Sequence, residues 1–331
     1  MAQEMHVAGL SVPVGHAFRH SIEVGELADG SKISLPVFLV NGAFDGPRVY
    51  LGASIHGDEV TGIAILAQVC AQVQPAQLAG SLLCVLVQNP LAFQVEHRIP
   101  VGLYLKSPLD QMPIDPWSSF PGNAEGNITE RLAATLFSLI KRCDYAIDIH
   151  TPTRGGRYVP ITILPHPSLG EAFHRAEVLA QAFGSGYIMK TQAGMYVADG
   201  ILCVEATRAG VPAFTFEIGE GGRLEADLIP IGVRCISNAL RFLGMLPGTL
   251  EPPAETIVMT QFVGLRASKG GLLQTAASLG ARVRRGDVLA RVYSVYGDER
   301  ETICAPCDGT FVRMTTFASV AAGERVATLG V

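Results

Sequence analysis

Val49-Tyr50-Leu51-Gly52-Ala53-Ser54-Ile55-His56-Gly57-Asp58-Glu59 is the stretch on which the reading of this chain turns. Its first half is an apolar run of strand length. Its second half carries an imidazole and a carboxylate three residues apart, just before a helical pattern begins. A buried strand that hands over to a helix is the repeating unit of an α/β sheet, and ligands collect at the carboxyl ends of such strands. A second apolar run, Tyr145-Ala146-Ile147, leads into Asp148-Ile149-His150. Two imidazoles and one carboxylate match the ligand set of many catalytic zinc sites, which leave the fourth position to water. His56, Glu59 and His150 are therefore the candidate metal ligands.

A third apolar run also ends in an acid, Phe214-Thr215-Phe216-Glu217-Ile218-Gly219. A metal hydrolase needs a carboxylate beside the attacking water, to take its proton and later deliver it to the leaving amine. Glu217 suits that role. Glu220 competes for it, and both also read as ordinary loop acids.

Outward from these runs, strand and helix patterns alternate. Strands are expected over 36–40, 49–55, 82–88, 145–149, 159–164 and 211–218, and helices over 59–73, 128–142, 171–182 and 229–243. Leu132, Leu136, Leu139 and Ile140 share one face of the second helix, and Asn127 with Glu130 three residues later reads as its cap. The alternation predicts an α/β fold with a mostly parallel central sheet flanked by helices, over residues 1–245. Leu246-Pro247-Gly248-Thr249-Leu250-Glu251-Pro252-Pro253 breaks any helix, so 246–255 reads as a linker. From 256 to 331, short alternating strands between glycine turns predict a small all-β module.

The ordered motifs identify a family. His56 to Glu59, Asn89-Pro90-Leu91-Ala92-Phe93, Phe120-Pro121-Gly122, Asp148 to His150 and Glu217-Ile218-Gly219 resemble the succinylglutamate desuccinylase and aspartoacylase family, a branch of the zinc carboxypeptidase-like hydrolases. The resemblance covers about residues 35 to 245. It implies one zinc ion per chain on His56, Glu59 and His150, and Glu217 as general base. It also implies that Arg98 polarises the scissile carbonyl of a small N-acyl substrate, although Arg98 reads equally as a surface arginine. Asp148, two residues before His150, is placed to orient a ligand imidazole.

One departure bears on the substrate. The family carries Asp-x-Asn-Arg before its Phe-Pro-Gly, and that Asn-Arg pair grips the substrate carboxylate. Here the chain reads Asp115-Pro116-Trp117-Ser118-Ser119-Phe120. A bidentate arginine clamp is hard to replace, because its planar fork pairs two oxygens at once. The stretch from Ile99 to Ile114 is a long insertion that could form a substrate lid, with Trp117 as an apolar wall. Arg154 and Arg157 either supply another anionic clamp or are solvated loop charges.

The C-terminal phrases Gly286-Asp287-Val288-Leu289-Ala290 and Ala305-Pro306-Cys307-Asp308-Gly309 resemble those of biotinyl and lipoyl carrier domains. The hairpin between them, Tyr296-Gly297-Asp298-Glu299-Arg300, has no lysine to modify, so carrier function is not expected.

Composition sets the outer bounds. A chain of 331 residues with 48% hydrophobic content can bury a large core. A net charge of −5 without a basic stripe argues against nucleic acid as a partner. No apolar stretch is long enough to span a membrane, and the first twenty or so residues lack a signal-peptide pattern. Seven scattered cysteines, Cys304-Ala305-Pro306-Cys307 included, read as reduced thiols of a cytoplasmic protein. Association into a homo-oligomer stays open. The sequence thus points to a zinc-dependent amidohydrolase. A zinc peptidase acting on short peptides and a non-catalytic binding protein are the rival readings.

Overall fold

The computed structural model describes residues 3–100, 102 and 115–331. The strands are β1 Met5–Val7, β2 Leu10–Val12, β3 His16–Glu26, β4 Lys32–Asn41, β5 Phe44–Ala53, β6 Ala79–Val85, β7 Tyr145–His150, β8 Gly156–Ile163, β9 Tyr187–Met189 and β10 Ala213–Glu220. The helices are α1 Thr61–Gln72, α2 Pro90–Gln94, α3 Ile128–Ile140, α4 Glu171–Phe183, α5 Leu202–Arg208 and α6 Ile229–Phe242. C-terminal to them lie β11 Ile257–Met259, β12 Phe262–Arg266, β13 Gly271–Thr275, β14 Arg282–Val283, β15 Val288–Tyr293, β16 Glu299–Cys304, β17 Gly309–Thr315, β18 Ser319–Val320 and β19 Arg325–Gly330.

The centre of the main sheet is the parallel run β10-β7-β5-β6. Its strands are apolar on both faces, as strands covered by helices on both sides must be. Alternation along β5 divides its side chains between two cores. Val49, Leu51 and Ala53 pack with α1, α4 and α6, whereas Tyr50 packs on the opposite side with α3 and α5. Each large apolar side chain buried this way contributes roughly 1.5–3 kcal/mol. The sheet therefore sits as the middle layer of three. Antiparallel β4 and β3 extend it on one side and antiparallel β8 on the other.

Asn127 caps α3 as its sequence suggests. Its Oδ1 accepts from the backbone N–H groups of Thr129 and Glu130, and Glu130 Oε2 accepts from the Asn127 N–H. Three kinds of element escape the sequence reading. β1 and β2 are three residues each and too short to show a period, β3 is largely exposed, α5 is too short to show a helical period, and β9 is a three-residue strand.

The C-terminal strands form the expected small β module, with a four-stranded sheet in the order β16-β15-β13-β18. This sheet packs against β12, β19 and β17 over a core that includes Leu289, Val292, Phe311 and Leu329. β17 also pairs antiparallel with β8, Arg313 opposite Tyr158, so the main sheet runs on into the module. That pairing brings C-terminal side chains to the mouth of the site. The segment proposed above as a lid, Ile99 to Ile114, lies outside the described residues apart from Ile99, Pro100 and Gly102. Among the described residues, no helix is long and apolar enough to cross a membrane.

Candidate metal centre and active site

Strand register assembles the site. On the adjacent parallel strands β10 and β7, Glu217 is the register partner of His150. On the other side of β7, β5 ends at Ala53, opposite Ile149. Ser54 then adopts a left-handed conformation, φ 55°, which costs a non-glycine residue of order 1–3 kcal/mol and turns the chain sharply. Gly57 follows where the backbone passes α2 so closely that a Cβ would lie 2.0 Å from the Ala92 carbonyl carbon. The turn returns His56 and Glu59 to the end of β7.

The result is a compact cluster. His56 Nδ1 lies 2.7 Å from Glu59 Oε1, and His150 Nδ1 lies 2.9 Å from Glu59 Oε2. One donor atom from each of the three residues falls within 4.8 Å of the others, and all three side chains are buried. The outer ring nitrogens have partners of their own. His150 Nε2 is 2.7 Å from Asp148 Oδ2, and His56 Nε2 is 3.3 Å from Asp115 Oδ1. Gln88 donates to the second oxygen of Asp148 at 2.7 Å and accepts from the Tyr50 hydroxyl at 2.7 Å, so a buried chain of polar groups fixes the His150 ring. A carboxylate behind each imidazole is the usual support of metal-ligating histidines.

The electrostatics suit a cation. Four carboxylates, Glu59, Asp115, Asp148 and Glu217, lie around the two imidazoles and Arg98, and Arg313 and Arg325 line the same cavity. Burial pushes the Glu59 carboxyl up, but His56 and His150 outweigh it and bring it to about 2. Burial likewise disfavours the charged imidazoles. Glu59 and Asp115 nevertheless raise the pKa of His56, and Asp148 and Glu59 raise that of His150 well above the ordinary value. Three side chains with converging donor atoms, the imidazoles oriented from behind by carboxylates and Glu59 held ionised between them, fit a divalent metal ion.

Glu217 lines the same cavity, whose volume is about 180 Å³. Burial raises its pKa, and the Tyr196 hydroxyl donates to its Oε1 at 2.7 Å while Oε2 is buried with no hydrogen-bond partner among the described residues. Glu220 is engaged elsewhere, accepting from the Gly155 N–H at 3.2 Å and the Thr316 hydroxyl at 2.7 Å. Arg98 also lines the cavity, with Nη1 3.8 Å from Glu59 Oε1, and its Nε and Nη2 both donate to Asp115 Oδ2. Trp117 is 3% exposed and packs edge-on against His56, His150 and Tyr196 at centroid distances of 5.7, 5.4 and 5.6 Å. Arg154 pairs with Glu96 and Arg157 with Glu225, and neither lines the cavity.

Sequence reasoning missed Tyr196, Gln88, Arg313 and Arg325 at or behind this site, and it gave Asp115 no role. Tyr196 sits on a short 3₁₀ turn without periodicity, and the two arginines belong to a module that reads as separate. Only Gln88, at the end of an apolar run just before Asn89-Pro90, carried a usable signal.

Comparison with known proteins agrees with the motifs. The succinylglutamate desuccinylase/aspartoacylase catalytic domain matches residues 45–243. The chain is 27% identical over 305 residues to the N-alpha-acetyl-L-2,4-diaminobutyric acid deacetylase of Halomonas elongata, an alignment covering 90% of this chain and 85% of that one. In fold it is similar to the product-bound ectoine utilization protein EutE (DoeB) of Ruegeria pomeroyi, with TM-score 0.82, 24% identity and 97% of each chain covered. A succinylglutamate desuccinylase from Silicibacter sp. TM1040 has TM-score 0.82 and 22% identity, again over 97% of each chain.

Proposed function

Because the chain belongs to the succinylglutamate desuccinylase/aspartoacylase family of deacylases, we propose that it is a zinc-dependent amidohydrolase that releases the acyl group from an N-acylated amino acid or related small amine. The observation that carries this reading is the convergence of His56, Glu59 and His150 beside Glu217 in one small cavity. His56, Glu59 and His150 would hold one zinc ion per chain, which would supply Lewis acidity toward the acyl carbonyl and lower the pKa of water toward neutrality. Glu217 takes that proton and delivers it to the departing amine. Burial suits it to this cycle, since a raised pKa makes the carboxylate a stronger base toward the water, while the carboxyl it becomes is still far more acidic than the ammonium formed on the leaving amine. Tyr196 holds the Glu217 carboxylate in place. Arg98, on the cavity wall, stabilises the negative charge that develops on the carbonyl oxygen, and Asp115 fixes the plane of its guanidinium. Trp117 excludes water from one side of the ligand cluster.

Cavity size supports a small substrate over a peptide. About 180 Å³ is some six waters' worth at roughly 30 Å³ each, below the range typical of drug-sized ligands. All seven cysteines are free thiols, in keeping with a reducing, cytoplasmic setting. The test is amine release by zinc-loaded protein from N-acetyl and N-succinyl amino acids and diamines, set beside short peptides. Turnover of the acylated amino acids alone supports the deacylase. Turnover of peptides alone moves the assignment to a peptidase, and hydrolysis of neither overturns catalysis.

A further inference from the structure

The cavity that holds Glu217 has a wall from outside the catalytic sheet core. Arg313 on β17 and Arg325 on β19 both line it. The sheet explains how they reach it. Gly219 of β10 pairs with Tyr158 of β8, and Tyr158 pairs with Arg313, which sets Arg313 two strand spacings, or about 10 Å, from the β10 backbone.

The cavity's third guanidinium, Arg98, is already committed to Asp115. Arg313 is different. Its Nη1 is buried and has no hydrogen-bond partner among the described residues. A buried guanidinium N–H left unpaired is destabilising, and an acceptor brought in by a ligand removes that penalty. The backbone also admits the group where it lies: a Cβ at Gly156 would come within 2.5 Å of Arg313 Nη2, so a side chain there would displace the fork from this position. Meanwhile Trp117 and Ser118 stand where the family's Asn-Arg pair would grip a substrate carboxylate. The described site thus has an unpaired guanidinium nitrogen on one wall and no such clamp on the other.

We propose that Arg313, with Arg325 beside it, binds the free carboxylate of the substrate, so that the C-terminal module supplies the specificity for an anionic N-acyl amino acid. This rests on the deacylase reading of the same cavity. A guanidinium pairs a carboxylate through two parallel N–H bonds, which an ammonium cannot reproduce. The site therefore selects N-acyl amino acids over N-acyl amines of equal size that lack the carboxylate.

The experiment compares N-acetylated amino acids with their C-terminal carboxamides, Nα-acetyl-L-2,4-diaminobutyrate among them, in wild type, Arg313→Gln, Arg313→Lys and Arg325→Gln. Two quantities are read: kcat/KM of the zinc-loaded protein, and calorimetric binding in a Glu217→Gln background, where the probes are not turned over. Arg313→Gln is expected to lose about 100-fold on the acids and under about 3-fold on the carboxamides, with Arg313→Lys in between. Zinc content and melting temperature at wild-type values identify variants that are folded, and Arg325→Gln tests the same wall without touching the buried position. Equal losses on acid and carboxamide, unchanged binding of the acids, or wild-type protein that binds no probe of the panel overturns the proposal. Acids that bind through Arg313 without being hydrolysed by wild type overturn the deacylase reading and leave the carboxylate site standing.

Discussion

Asp115 links Arg98 to His56: its Oδ2 accepts two hydrogen bonds from Arg98, at 3.2 and 3.0 Å, while its Oδ1 lies 3.3 Å from His56 Nε2. One carboxylate thereby orients a candidate metal ligand and a candidate carbonyl-polarising group together. Burial pushes the Asp115 carboxyl up, but the His56 and Arg98 contacts outweigh it and hold it well below the usual carboxylate range. Asp115→Asn keeps the shape and removes the charge. The expected result is a fall of about 10–100-fold in zinc affinity, measured by competition with a chelator. Wild-type affinity in that variant would reduce Asp115 to a structural cap of the Pro116–Ser118 turn.

Glu217→Gln removes the proton acceptor while preserving volume. Turnover of an N-acyl substrate should drop by roughly 10²–10⁴-fold, the range expected for a lost general base, with zinc content unchanged. Activity close to wild type would relocate the base, with Glu220 the nearest acid on the same strand.

The pH profile gives an independent check on the same carboxylate. Burial raises the Glu217 pKa, and the hydrogen bond from Tyr196 favours its charged form and lowers it again. Tyr196→Phe removes only the lowering contribution, so the Glu217 pKa should rise. The acid limb of kcat/KM, which reports ionisation of the base in the free enzyme, should then move to higher pH. A limb that stays in place or moves to lower pH contradicts this assignment.

Helix α3 carries Leu132, Leu136 and Leu139 into the core beneath Trp117 and Phe120, and its first turn depends on Asn127. Asn127→Ala removes an acceptor shared by two backbone N–H groups and should cost about 1 kcal/mol, lowering the melting temperature by roughly 2 °C. An unchanged melting curve would show that packing alone holds the helix end.

How much of this was legible follows from what each residue signals. His56, Glu59, His150 and Glu217 stand out because each closes a turn or strand end after an apolar run, and strand ends in an α/β sheet converge on one edge. Asp115 appeared only as the first letter of an altered motif, since nothing in a lone aspartate says which imidazole it will face. Tyr196 comes from a 3₁₀ turn between α4 and α5, where no periodicity exists to read. The parallel centre of the sheet was readable from buried strands alternating with amphipathic helices. The three-residue strands β1 and β2 and the largely exposed edge strand β3 were not, because short or exposed strands have little hydrophobic pattern to give them away. Arg313 is the sharpest case. Its sequence neighbours place it in a β module, and only the pairing of β17 with β8 reveals that it reaches the cavity lined by His56, His150 and Glu217.

The central claim is a zinc site built from His56, Glu59 and His150, and elemental analysis of purified wild-type protein beside His150→Ala tests it most directly. The account predicts about one zinc per chain in the wild type and loss of that metal in the variant. Wild-type protein that is metal-free and cannot be loaded with zinc would contradict it.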